Sequence, residues 1–189
     1  SNKAAKQMRL VELLSAVHML ILFLLIIEQS LSSMRIIRKN RILEQKAYID
    51  VHTGLPNKSR CEELFSDMSF ITEPTACLMF DLNNLKSAND TLGHSAGDQL
   101  IASFARVLRN VIPAKDFVGR YGGDEFVVIL YNITENTVNS LLTQLHNEVM
   151  QFNRGGNNIP ISYAQGWAVS TDYTDCTLRT LFDKADHFM

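Results

Sequence analysis

Three acidic residues stand where the chain turns out of apolar segments. Asp81 ends the run Thr75-Ala-Cys-Leu-Met-Phe80, whose length and composition are those of a buried central strand. Asp124 and Glu125 follow Gly122-Gly123 at the turn of a hairpin predicted from Phe117–Tyr121 and Asp124–Tyr131. If that hairpin pairs beside the Asp81 strand, three carboxylates meet at one edge. Like charges so close are unfavourable unless cations bind them. Hard oxygens in that number suit Mg²⁺ or Mn²⁺, with waters and phosphate oxygens as further ligands. Two such ions can polarise a phosphate and activate a nucleophilic hydroxyl. An isolated Asp-Glu pair would read as ordinary turn polarity. The two glycines count against that reading, because they let a phosphate or ribose approach the backbone closely.

A second cluster is Asn89-Asp90 with Gly93-His-Ser-Ala-Gly-Asp98. Asp98 is expected at the start of a helix running from Gly97 to Val111, where a carboxylate favours the free amides and the dipole. A plain helix cap accounts for it as well as a ligand role does. The ligand role is specific: carboxylate oxygens accept from the N1–H and N2–H₂ of guanine, and Asn can both donate and accept. Adenine offers no such donor pair.

These residues need a scaffold. The predicted order is α-β-α-α-β-β-α-β-α, with helices at Lys58–Met68, Leu85–Leu92, Gly97–Val111, Thr137–Phe152 and from Thr177, and a last strand from Ile159 to Ser170. That order suits an α+β domain with an antiparallel sheet flanked by helices. The breaker cluster Asp50-Val-His-Thr-Gly-Leu-Pro-Asn57 marks its beginning. Residues 50–189 are therefore read as the globular domain and residues 1–49 as a separate helical segment. The chain starts with Ser1-Asn2 and stops at Met189 inside an apolar-periodic run, so both ends read as cut, the last helix included.

Residues 1–49 differ in kind from the rest. Leu13 to Ile27 are fifteen residues without a charge. Leu10 to Leu31 would reach the roughly 20 residues of a membrane span, with Glu12 and Glu28 near its ends. Lys6 and Arg9 on one side and Arg35, Arg38, Lys39 and Arg41 on the other would suit headgroups, with a bias placing the C-terminal side in the cytoplasm. A helix pairing in solution through its apolar side is the other reading. From Ser33 to Ile49 a helix is expected, with Ile36, Asn40, Leu43 and Ala47 spaced as in a short coiled coil.

Of 189 residues, 46% are hydrophobic and 20% charged, enough for a sizeable core and too few charges for a disordered chain. The 18 Lys and Arg nearly balance 20 Asp and Glu, but unevenly. Residues 1–47 hold eight basic against three acidic residues; the remainder holds ten against seventeen. An acidic globular part lacks the basic stripe of a nucleic-acid binder. Cys61, Cys77 and Cys176 are too few and scattered for a disulfide framework and read as buried thiols.

Arg120-Tyr-Gly-Gly-Asp-Glu-Phe126 contains GGDEF, and the sequence resembles the GGDEF-domain diguanylate cyclase family from about Asp50 to Met189. Asp81-Leu-Asn-Asn-Leu-Lys-Ser-Ala-Asn-Asp90 resembles the family's D-x-D-x-F-K-x-x-N-D block. Gly93-His94 with Gly97-Asp98 matches its G-H-x-x-G-D. Asp50 to Lys58 resembles its opening motif, and Ala185-Asp186 the start of its last helix. The resemblance implies a palm-like, ferredoxin-like core preceded by a long helix. It implies two GTP condensing to cyclic di-GMP across a homodimer of half-sites; the apolar segment and its flanking charges would anchor that domain on the cytoplasmic side of the inner membrane. A catalytically inactive domain that relays a signal by binding GTP is the alternative.

Carried over by position, Asp81, the Leu82 carbonyl, Asp124 and Glu125 would hold Mg²⁺ or Mn²⁺. Asp124 would also take the proton of the 3′-hydroxyl, with Glu125 and Lys86 as further catalytic groups. Asn89, His94, Asp98, Gly122 and Gly123 would bind GTP. Asn83 and Leu85 depart from the first block, and His52 and Lys58 from the opening motif. The family's product-inhibition motif R-x-x-D falls on Pro113-Ala-Lys-Asp116, where Pro replaces Arg, so weak product binding is expected there. The family's basic residues for the terminal phosphates would fall after Met189.

Overall fold

The computed structural model describes residues 2–156 and 159–189. By contacts the chain forms two compact units, Ser1–Gln45 and Lys46–Met189.

Helix α1 runs unbroken from Asn2 to Tyr48, 47 residues. The expected span and the expected linker helix are thus one helix, since neither Gly nor Pro interrupts the segment. Its stretch Glu12–Asn40 is long and apolar enough to cross a membrane, with a mean hydropathy of 2.0 and no residue buried. Ile36, Asn40, Leu43 and Ala47 are exposed.

The second unit carries α2 (Lys58–Phe65), β1 (Thr75–Leu82), α3 (Leu85–Leu92), α4 (His94–Val111), β2 (Phe117–Arg120), β3 (Glu125–Tyr131), α5 (Glu135–Arg154), β4 (Tyr163–Val169) and α6 (Leu178–His187). The four strands form one antiparallel sheet in the order β2-β3-β1-β4. This is the expected α+β architecture. β1 is central and buried at every residue but Asp81, which is why it lacks the alternation of a half-exposed strand. Asn57 caps α2 by accepting from the Arg60 amide, and Thr177 caps α6 by accepting from the Thr180 amide.

The sheet separates two cores. Leu78, Phe80, Phe126 and Val128 face α4 and α5, where they meet Phe104, Leu108 and Leu145. Cys77, Met79, Val127 and Ile129 face α2 and α6, where they meet Phe65, Leu181 and Phe182. The three cysteines are free, buried and all in this second core. Burial pushes the Cys61 thiol up to about 12, so it packs as a small apolar side chain.

Two boundaries differ from expectation in ways that matter. β4 is shorter than the Ile159–Ser170 run at both ends: Ile161 bonds the Asn153 side chain of α5 before the strand starts at Tyr163, and Ser170–Asp172 turns as a 3₁₀ helix after Val169. Helix α4 begins at His94, three residues before Gly97. Gly93, at φ 88°, takes the breaking position that the sequence reading gave to Gly97.

Candidate active site

The β1–β3 register puts Asp81 directly opposite Glu125. The Leu82 amide donates to the Asp124 carbonyl at 2.9 Å, so Asp124 is held at the same end of the sheet. Asp81 and Glu125 are half-buried where the two strands end. Burial lifts the Asp81 carboxyl above its ordinary range, and the charge of Asp124 adds to this. Glu125 is lifted by burial first, then by Asp124, Asp81 and Asp186, against a smaller opposing pull from Lys58. Crowded acids that favour one another's protonation form an edge that attracts cations. Among the described residues, no three His, Cys, Asp or Glu side chains are gathered so as to hold a metal ion by themselves. An open set of carboxylates fits a hard ion that keeps waters and phosphate oxygens as ligands.

The glycines before the acid pair serve different ends. Neither has positive φ, so backbone conformation calls for neither. A Cβ at Gly122 would lie 2.2 Å from Glu125 Oε2; its absence lets the Glu125 carboxylate fold back against the loop. A Cβ at Gly123 would meet nothing within 4 Å, leaving an open approach to the backbone.

The loop is held by a residue to which the sequence reading gave no role. Arg120 Nε donates to the Gly122 carbonyl at 3.2 Å and Nη2 to the Gly123 carbonyl at 2.8 Å. Nη1 donates to Asp50 Oδ2 at 3.0 Å. Asp50 in turn accepts from the Thr53 amide and hydroxyl, and the Arg120 amide donates to the Pro56 carbonyl. Burial raises the Asp50 carboxyl, but the bonds from Thr53 and Arg120 outweigh it and hold it below its usual range. The Asp-x-x-Thr spacing was a readable turn signal; its distant partner Arg120 was not.

The second cluster lies on α3 and α4, joined at Gly93. The Asn89 side chain rests against Gly97, where a Cβ would stand 2.1 Å from Asn89 Oδ1. Asp98 lies in the second turn of α4, and no acidic residue occupies the first turn. It therefore does not cap the helix. Its carboxylate is exposed, with His52 Nδ1 3.6 Å away. Lys86 and His94 are exposed on the same helix pair.

The sequence profile described as "Diguanylate cyclase, GGDEF domain" matches residues 47–189. The chain belongs to the GGDEF domain family. The GGDEF domain here is 33% identical over 103 residues to the cyclic di-GMP phosphodiesterase PdeB of Shewanella oneidensis, covering 54% of this chain and 12% of that protein. It is 28% identical over 163 residues to the diguanylate cyclase DgcN of Escherichia coli, covering 82% of this chain and 39% of that protein. The chain thus spans well under half of either relative. Among solved structures, the GGDEF domain of DgcB from Caulobacter crescentus, in complex with c-di-GMP, is similar with a TM-score of 0.60 and 26% identity. That match covers 75% of this chain and 86% of the other.

Proposed function

We propose that this GGDEF domain is a diguanylate cyclase that condenses two GTP into cyclic di-GMP with release of two pyrophosphates. The observation that carries the reading is the acid edge: Asp81 and Glu125 face each other across β1 and β3, with Asp124 at the same end. No packing role explains this gathering of carboxylates, in which burial and neighbouring charge lift Asp81 and Glu125 toward protonation. The Asp81, Asp124 and Glu125 carboxylates, with the Leu82 carbonyl, would hold Mg²⁺ or Mn²⁺. Such ions supply charge neutralisation on the phosphates and activation of the hydroxyl.

The chain's own residues do the rest. Asp124 accepts the proton of the attacking 3′-hydroxyl, and Glu125 supports the same edge. Asn89 and Asp98 take the guanine edge, and the exposed state of Asp98, freed from any capping duty, fits that task. His94 and Lys86, both exposed, would contact the nucleotide and its phosphates, and Gly122 and Gly123 would leave room for its approach.

One domain offers one acid edge and one guanine slot, so two chains must face each other for the product to close. A homodimer is therefore part of the reading. We place the domain in the cytoplasm, with residues 10–31 as an inner-membrane anchor, on the apolar length of α1. Holding two chains in one membrane raises their effective concentration. The alternative, a non-catalytic GTP-binding relay, is favoured by the relative named as a phosphodiesterase, in which the matched region is a small part.

The deciding experiment incubates the full chain with GTP and Mg²⁺ and separates the nucleotides. Cyclic di-GMP and pyrophosphate in a 1:2 ratio are expected. GTP binding without product would leave the relay reading in place.

A further inference from the structure

We propose that Glu62 and Arg179 are positioning residues for the Gly122–Glu125 loop and act through the hydroxyl of Tyr121; the role in turnover rests on the cyclase reading above. Tyr121 immediately precedes Gly122. Its amide donates to the Glu125 carbonyl at 2.8 Å, and the Gly122 amide donates to the same carbonyl at 3.2 Å. Where residue 121 sits therefore sets where the acid pair begins.

The side chain of Tyr121 leaves the loop and reaches helix α2, where its hydroxyl donates to Glu62 Oε1. Arg179 of α6 donates through Nη2 to the other carboxylate oxygen of Glu62. One carboxylate thus ties together the loop, α2 and α6, which are 59 and 117 residues apart along the chain at these bonds. The rings beneath fix the plane of the phenol. Tyr121 lies 4.8 Å from Phe182 and 6.4 Å from Phe65, centroid to centroid. The Arg179 guanidinium covers Phe65 at 5.3 Å and Phe182 at 5.6 Å.

A purely structural role fits poorly. The Glu62 side chain is 37% exposed and that of Arg179 33%. Ion pairs so exposed contribute little to stability, and Phe65 and Phe182 already fill the core below. What this network adds is direction. A hydroxyl aimed at a fixed carboxylate permits one ring orientation, and reacting groups held to within fractions of an ångström gain rate rather than stability. The bonds from Tyr121 and Arg179 hold the Glu62 carboxyl below its usual range, in keeping with a charged acceptor.

The test uses the full chain carrying Tyr121→Phe, Glu62→Gln, Arg179→Gln or Arg179→Lys, and the double variant Glu62→Gln/Tyr121→Phe. With GTP and Mg²⁺, Tyr121→Phe and Glu62→Gln each lower kcat about tenfold while KM moves less than about twofold. The double variant falls no further than either single one, because both break the same link. Arg179→Lys retains more activity than Arg179→Gln. Hydrogen exchange of the Tyr121 and Gly122 amides accelerates in the same variants, a readout that needs no turnover. Faster exchange in a chain that makes no cyclic di-GMP would uphold the positioning and sink the cyclase reading. Unchanged exchange, or additive rate losses that merely follow the thermal midpoint, would overturn the proposal.

Discussion

The acid edge and the α3–α4 cluster are built on opposite plans. At the acid edge, backbone register decides position: Asp81 faces Glu125 because β1 and β3 pair, and Asp124 follows because its carbonyl bonds Leu82. On the α3–α4 side, Asp98, His94 and Lys86 stand exposed, and among the described residues the Asp98 carboxylate has the His52 imidazole 3.6 Å away. The first region is strained by its own charges before any ligand arrives. The second is at ease without one. A site can therefore be prepared by confinement in one half and by availability in the other, and substitutions in the two halves should differ in kind.

The sharpest break is at the acids. Asp124→Ala or Asp81→Ala should reduce turnover about a thousandfold or more, the scale of several kcal/mol of lost metal-assisted stabilisation. The fold should survive, as far-ultraviolet circular dichroism would show. An Asp124→Ala protein with near-normal rate would remove the acid edge from the mechanism. At the guanine side, Asp98→Ala should weaken GTP binding about tenfold to a hundredfold and relax the preference over ATP. Its thermal midpoint should hardly move, because the side chain caps nothing. Calorimetry with both nucleotides checks this, and unchanged GTP affinity would end the guanine assignment.

Smaller effects fall on the support of the loop. Arg120→Met removes the guanidinium donor from two loop carbonyls and leaves Asp50 with Thr53 alone, and should cost about 2 kcal/mol in denaturant unfolding. A loss confined to activity, with full stability, would show that the Asp50–Arg120 link is not structural. The smallest effect is electrostatic. The raised carboxyls of Asp81 and Glu125 bind protons more tightly folded than unfolded, so metal-free protein should gain stability from them as pH falls through their raised values toward the ordinary 3.8 and 4.5. Asp50 runs the other way: its contribution is full above 3.8 and is lost as pH falls through its lowered value. Thermal melts of Asp81→Asn against the parent from pH 7 to 4 should show the parent catching up as the acids protonate. A constant gap across that range would refute the mutual repulsion.

Much of this was legible in the sequence because the signals were local. The apolar run ending in Asp81, the glycine pair before Asp124 and the α3 boundaries at Leu85 and Leu92 needed no knowledge of distant partners. The start of α4 was misplaced because two glycines compete there. Only the backbone shows that Gly93, not Gly97, takes positive φ, and that correction removes the capping explanation for Asp98. Arg120 was visible in the motif, but its reach to Asp50 closes a separation of 70 residues, which no spacing rule encodes. The unbroken length of α1 was likewise missed, since charge and hydropathy change along it while helix propensity does not.

Gly97 carries a consequence for how such a domain can change over generations. Glycine inside a helix costs about 0.5–1 kcal/mol relative to alanine, so selection for heat resistance would favour replacing it. Yet the added methyl would occupy the place of Asn89 Oδ1. If Asn89 holds the nucleotide as proposed, robustness and substrate recognition draw on one position in opposite directions, and a lineage that had given up recognition would be free to take the alanine.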